Sequence, residues 1–161
     1  MRLVFWAGFW VFLADQASKY LVVHWMNLRE VGSIDVMPPL LNLRMAWNYG
    51  INFGLFSGDS DSTRWILIGI AIMIVAFVLN WLRKEEFGKI GLISAGILIG
   101  GALGNIIDRI LYGAVADFLN MSCCGFSNPF SFNVADIAIF AGALGMVIFA
   151  GDSKEDPKTE V

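Results

Sequence analysis

Charge is scarce in this 161-residue chain: Asp, Glu, Lys and Arg together make up 16% of it, well below the roughly 25% of an average soluble domain. No basic excess exists either, since 11 Lys+Arg face 14 Asp+Glu, and a nucleic-acid partner is excluded for want of a field to hold phosphates. With one histidine and two cysteines, Cys123 and Cys124, no metal set can be assembled and no disulfide scaffold is possible. Adjacent cysteines rarely bond each other, which leaves an unpaired or intermolecular role open for this pair. No Ser-His or Cys-His pair is credible, and Ser18 beside Lys19 does not form a dyad because adjacent helical residues do not face each other. What the chain has instead is apolar mass, 57% of its residues, with a mean hydropathy of +0.67. A small soluble domain needs far more polar surface than that. The composition describes one integral membrane domain and excludes disorder.

Four runs are long enough to cross ~30 Å of hydrocarbon at 1.5 Å per residue. They cover about 3–23, 65–82, 90–111 and 132–150. Their apolar character is continuous, not alternating, which excludes barrel strands. Arg2, Arg83, Lys84, Lys89, Lys154 and Lys158 all fall on one side of the spans, so both termini are expected in the cytoplasm. Arg2 and the apolar residues after it resemble a signal peptide. The apolar run resumes at Tyr20, however, and losing the segment would leave three spans with the wrong parity, so it reads as a retained helix. In the long first outer loop, Leu41, Leu43, Met45 and Trp47 alternate with Asn42, Arg44, Ala46 and Asn48. That period of two predicts a strand with one face buried, hence a small sheet on the outer surface. In span 3, Gly96, Gly100 and Gly104 form a small-residue stripe, with Gly101 beside it, for close helix packing. Residues 151–161 read as a polar cytoplasmic tail.

Carboxylates inside such spans are costly and mark function by default. Asp15 lies about 18 Å from the inner end of span 1, Asp108 near the outer end of span 3, Asp117 just past it, and Asp136 about one turn into span 4. All four fall at one level in the outer part of the membrane, and the inner half has none. Asp15 and Lys19 can pair at i,i+4, and Asp108 has Arg109 beside it. Asn105, Asp108 and Arg109 share a face, as do Asn133 and Asp136. Asp117 has no base within seven positions and Asp136 none on its own span. Two neighbouring carboxyls can share one proton, so that one acts as base while the other acts as acid. Asp117 and Asp136 suit that role, because water reaches both from outside.

Five segments then form a recognisable series. They are Asp15-Gln16-Ala17-Ser18-Lys19, Asn48-Tyr49-Gly50, Gly101 to Arg109, Val115-Ala116-Asp117-Phe118, and Phe132-Asn133-Val134-Ala135-Asp136. In this order on four spans the chain resembles the bacterial lipoprotein signal peptidases (signal peptidase II). The resemblance implies an all-α membrane protein: a four-transmembrane-helix bundle with a small periplasmic β-sheet, or cradle, in the first outer loop. Residues 1–150 would form a single membrane-embedded peptidase domain. The implied activity is an aspartic endopeptidase of the inner membrane that cuts the signal peptide from a prolipoprotein before its diacylglyceryl-modified cysteine. Asp117 and Asp136 would be the catalytic dyad. Asp15, Lys19, Asn48, Gly101, Asn105, Arg109 and Asn133 would support them or bind substrate. No cofactor is implied; the partners are the lipidated substrate and membrane lipid, and the protein is expected to be a monomer. The sequence departs from the family pattern at Ile51-Asn52 before Phe53, and at Cys123-Cys124-Gly125.

A proton-coupled transporter subunit is the alternative reading, and it predicts polar residues along the full membrane depth. A scaffold predicts every acid matched to a base. A presenilin-like protease predicts a GxGD signature, which is absent.

Overall fold

The computed structural model describes residues 1–38, 40–50, 60–123, 125 and 128–150. Helix α1 spans Arg2–Lys19 and runs on as a π-helical turn over Tyr20–Trp25. A short helix α2, Leu28–Val31, follows, set off by left-handed Asn27 at φ 53° and by Gly32 at φ 80°. Strands β1 (Ser33–Met37) and β2 (Leu41–Asn48) come next. Helices α3 (Ser60–Lys84) and α4 (Lys89–Tyr112) form a long pair. Strand β3 (Val115–Asn120) and helix α5 (Val134–Ile148) complete the described chain.

Helix α4 is the axis of the molecule, with α1 on one face and α5 on another. Glycine makes this possible. A methyl group on Gly96 would come within 2.5 Å of the Val4 carbonyl oxygen, and one on Gly100 within 2.9 Å of the Gly8 Cα. Gly101 approaches α5 in the same way, its added carbon meeting the Ala135 carbonyl at 2.6 Å. The small-residue stripe expected from the sequence is therefore a backbone-to-backbone contact.

The strand expected over Leu41–Trp47 is present as β2, and it is the centre of an antiparallel sheet in the order β1-β2-β3. Strand β3 pairs with it through Ala46 and Asp117, Trp47 and Ala116, and Asn48 and Val115. Val115–Asn120 carries no alternation, because nearly every residue in it is buried; that is why the sequence pattern did not reveal it. Gly113, at φ 78°, ends α4 in the left-handed conformation and turns the chain into this strand.

Two apolar clusters sit at opposite ends. Val4, Val78, Leu82, Ala95, Leu98, Ile99 and Met146 fill the end near the α3–α4 turn. Val22, Val23, Leu28, Leu43, Ala116 and Phe118 fill the space between the π-helical turn and the sheet. Large apolar side chains also cover the outside, among them Phe5, Trp10, Met73, Phe77, Phe140 and Val147, as expected of a surface facing lipid. The helices lie on the four apolar runs of the sequence, but among the described residues only Ser62–Lys84 and Lys89–Tyr112 are long and apolar enough by themselves to cross a membrane. Helix α1 carries three charged residues, and α5 has 15 residues, about 22 Å at helical rise. The departure at Ile51-Asn52 and the tail 151–161 lie outside the described residues.

Gly100→Ala is expected to destabilise the protein by ~1–3 kcal/mol through overpacking. Gly69→Ala on α3, where an added carbon meets nothing within 4 Å, should be neutral or slightly stabilising. Thermal unfolding of both variants in detergent checks the pair.

Candidate active site

The C-terminal ends of α1 and α4 and the N-terminal end of α5 meet beneath the sheet, and every polar residue singled out above is carried there. The deepest element is an ion triad. Lys19 Nζ lies 2.7 Å from Asp15 Oδ2 and 2.8 Å from Asp108 Oδ2, and it donates to Asn105 Oδ1 at 3.3 Å. The Asp15–Lys19 pair is as expected from their spacing. Asp108 is partnered by Lys19 rather than by Arg109, because adjacent residues on a helix point apart.

Gln16 had no assigned role, yet it is part of this knot. Its amide donates to Asp15 at 3.1 Å and to Asp108 at 3.0 Å. An amide next to an acid in an apolar helix was the available signal. Two backbone donors carry no such signal: Ala135 N–H donates to Asp15 Oδ1 at 3.0 Å and Ala116 N–H to Asp108 Oδ2 at 3.3 Å. Ser18 Oγ donates back to the Asp15 carbonyl at 2.8 Å, so it is tied to its own helix.

Asp117 and Asp136 sit above the triad and are linked through asparagines. Asn133 caps α5, accepting from Asp136 N–H at 2.9 Å while its own N–H donates to Asp136 Oδ2 at 3.2 Å. The same Asn133 donates its side-chain amide to Asp117 Oδ1 at 2.6 Å and to Asn105 Oδ1 at 3.3 Å. Asn105 in turn donates to Asp136 Oδ1 at 3.0 Å. Asn48, a diagonal neighbour across the sheet on the same face, donates to Asp117 Oδ2 at 3.1 Å. Each oxygen of the two carboxyls thus accepts one hydrogen bond from a neutral donor. Among the described residues neither acid has a basic group within ion-pair distance.

Electrostatics separates the two. Burial pushes the Asp117 carboxyl up from 3.8 to about 7, and the nearby Asp136 charge adds to the push. The Asn48 and Asn133 amides and the Lys19 charge pull the other way. Asp136 stands in the first turn of α5, where the helix dipole favours an anion.

Arg109 reaches the same space. Its guanidinium donates to the Asn105 carbonyl and the Gly50 carbonyl, both at 3.4 Å, and its Nε is buried without a partner. Gly101 lies lower, at the α4–α5 contact, and acts on the cluster by letting α5 come close. Cys123 is disulfide-bonded, so the unpaired role left open for it does not hold; Cys124 lies outside the described residues. Among the described residues no three His, Cys, Asp or Glu side chains converge as a metal ion would require.

Two solved structures, both described as bacterial membrane enzymes determined by the in meso method, share this fold. One aligns with 100% of this chain and 95% of its own at a TM-score of 0.79 and 28% identity. The other covers 96% of each chain, with the same TM-score and 26% identity. The architecture is thus that of a bacterial membrane enzyme with a carboxylate pair beneath its sheet.

The family model described as signal peptidase (SPase) II matches residues 8–150. Among similar proteins, a lipoprotein signal peptidase of Rhizorhabdus wittichii is 40% identical over 87% of this chain and 80% of its own length. That of a Methylobacterium species is 37% identical over 83% and 79%, and that of Vibrio parahaemolyticus 35% identical over 94% and 88%. The chain belongs to the signal peptidase II family, and is a membrane-bound peptidase of the aspartic type.

If the Asp136 charge contributes to the raised titration of Asp117, removing it lowers that titration. In Asp136→Asn, the Asp117 carboxyl should titrate below about 7, as followed by carboxyl infrared absorption against pH. An unchanged midpoint would show that the two groups do not interact.

Proposed function

We propose that Asp117 and Asp136 are the catalytic pair with which this peptidase removes signal peptides from prolipoproteins. The observation that carries the reading is the position of Asn133, which hydrogen-bonds both acids at once and holds them as a unit. Asp117 carries the shared proton, since its carboxyl is held near 7. Asp136, at the helix N-terminus, is the carboxylate. Asp136 takes a proton from water, and the water oxygen attacks the scissile carbonyl carbon. Asp117 gives its proton to the carbonyl oxygen as the tetrahedral intermediate forms. When the carbon–nitrogen bond breaks, the proton held by Asp136 passes to the leaving amine, and Asp117 recovers its own from the collapsing hydroxyl. No cofactor enters the cycle.

The remaining residues have supporting parts. Asn48, Asn105 and Asn133 orient the carboxyls. Asp15 and Lys19 fix Asn105 and α5, and Gly101 sets the α5 distance. The unpartnered Nε of Arg109 suits a carbonyl oxygen of the substrate.

In the arrangement we infer, α1 with its π-helical turn, α3, α4 and α5 are four spans of the bacterial inner membrane. Residues 1–150 form one domain and both termini lie in the cytoplasm. The basic residues Arg83, Lys84 and Lys89 at the α3–α4 turn support this orientation. The sheet and the carboxyls then lie at the periplasmic face, at the level where acyl chains begin, which suits cleavage before a diacylglyceryl-modified cysteine by a monomer. The transporter alternative has nothing in its favour: every buried carboxylate among the described residues is at the sheet end.

Asp117→Asn and Asp136→Asn should each lower cleavage of a lipidated prolipoprotein by about 10³-fold or more while remaining folded in detergent; a gel-shift assay reads this, and activity retained by either variant rejects the pair. Wild-type activity should fall as pH rises through about 7, where Asp117 loses its proton. An unlipidated substrate should not be cut.

A further inference from the structure

A half-open cavity of about 270 Å³ lies on the other side of β3 from Asp117. Ala116 lines it, and successive residues of a strand face opposite ways, so the cavity is separate from the carboxyl pair. Its wall is aromatic: Tyr20, His24, Trp47 and Tyr112. These rings form a chain, with centroids 5.7 Å apart for Tyr20 and His24, 6.5 Å for His24 and Tyr112, and 5.8 Å for Trp47 and Tyr112. Its floor is Gln16, Lys19 and Asp108.

The hydrogen-bonding state of that floor selects the ligand. Lys19 has three N–H donors, and three acceptors surround it, on Asp15, Asp108 and Asn105. It has nothing left to offer an anion. Of the groups that line the floor only Lys19 and Asp108 are charged, and they cancel, so no net positive charge opposes a cation. Asp108 Oδ1 accepts only from Gln16 among the described residues, which leaves it a lone pair. A carboxylate oxygen with an open lone pair, beneath a wall of aromatic rings, is the chemistry that holds an organic ammonium ion. A primary ammonium is preferred over a quaternary one, since it can donate to Asp108 Oδ1.

The rim says where the ligand comes from. Tyr20 is 70% exposed and Tyr112 51% exposed, and both stand at helix ends where aromatic side chains mark the membrane–water interface. That level rests on the span arrangement proposed above. The geometry points to a binding site for the ammonium headgroup of an ethanolamine-type phospholipid, with its acyl chains lying outside along α1 and α4. The lipid would brace the α1–α4 junction behind the carboxyl pair.

Binding of the lipid can be read without any cleavage assay, so this inference and the catalytic one fail separately. The purified chain in detergent is titrated with phosphatidylethanolamine, phosphatidylcholine and phosphatidylglycerol of equal chain length, and retained lipid is counted by native mass spectrometry. Phosphatidylethanolamine is expected to bind about tenfold more tightly than phosphatidylglycerol. Tyr112→Ala should remove most of that preference, and Tyr20→Ala, at a highly exposed position, should weaken it about threefold or more. Equal binding of the lipids overturns the proposal, as does a preference untouched by both substitutions. Free ethanolamine that displaces the lipid at equal concentration overturns a lipid occupant in favour of a small soluble cation.

Discussion

Lys19 is the knot on which the structure depends. One ammonium, 6% exposed, joins Asp15 of its own helix to Asp108 of α4. Asp15 is in turn held by the backbone of α5 and Asp108 by the backbone of β3. Three helices and a strand are thus fastened through one charge. In a low-dielectric surrounding such a cluster persists only when its charges are paired and hydrogen-bonded, and taking away one partner costs ~3–5 kcal/mol. Its value here is geometric. Continuous apolar helices can slide and rotate on one another with little change in buried area, whereas three ligands around one nitrogen admit one arrangement.

The glycines are the other half of that constraint. A side chain on Gly104 would collide with the Asp15 carboxylate, its Cβ lying 3.1 Å from Asp15 Cγ. Gly100 brings α1 against α4, and Gly101 brings α5 against α4. Close approach lets the short side chains of Asp and Asn span the gaps between helices. Longer acids on more distant helices could make the same contacts, but with more rotamers to freeze and a looser hold on the reacting groups.

Much of this was legible in the sequence, and the reasons are specific. The apolar runs located the helices because a bilayer-length helix leaves an unmistakable pattern. The depth of Asp15, Asp108 and Asp136 along those runs brought them to one level by helical rise alone. Strand β2 showed its period of two because large apolar side chains occupy one face and small or polar ones the other. Strand β3 did not, because it is buried on both sides and looks like a continuation of α4 until Gly113 turns the chain. The partner of Asp108 was not legible, since two residues on different helices are joined by packing and not by spacing. Nor was the part played by main-chain donors such as Ala116 and Ala135, where the side chain is silent about what its N–H does.

The two acids of the proposed pair differ because the elements that carry them differ. Asp136 is the third residue of a helix, in a capping box, so its charge sits against the free N–H groups of the first turn. Asp117 is mid-strand. There burial and the nearby Asp136 charge raise its carboxyl, opposed by two asparagine amides and the Lys19 charge. Identical side chains placed on a helix start and on a buried strand therefore meet different surroundings before any substrate arrives. A strand beside a capped helix thus brings two aspartates together while giving each its own set of hydrogen-bond donors.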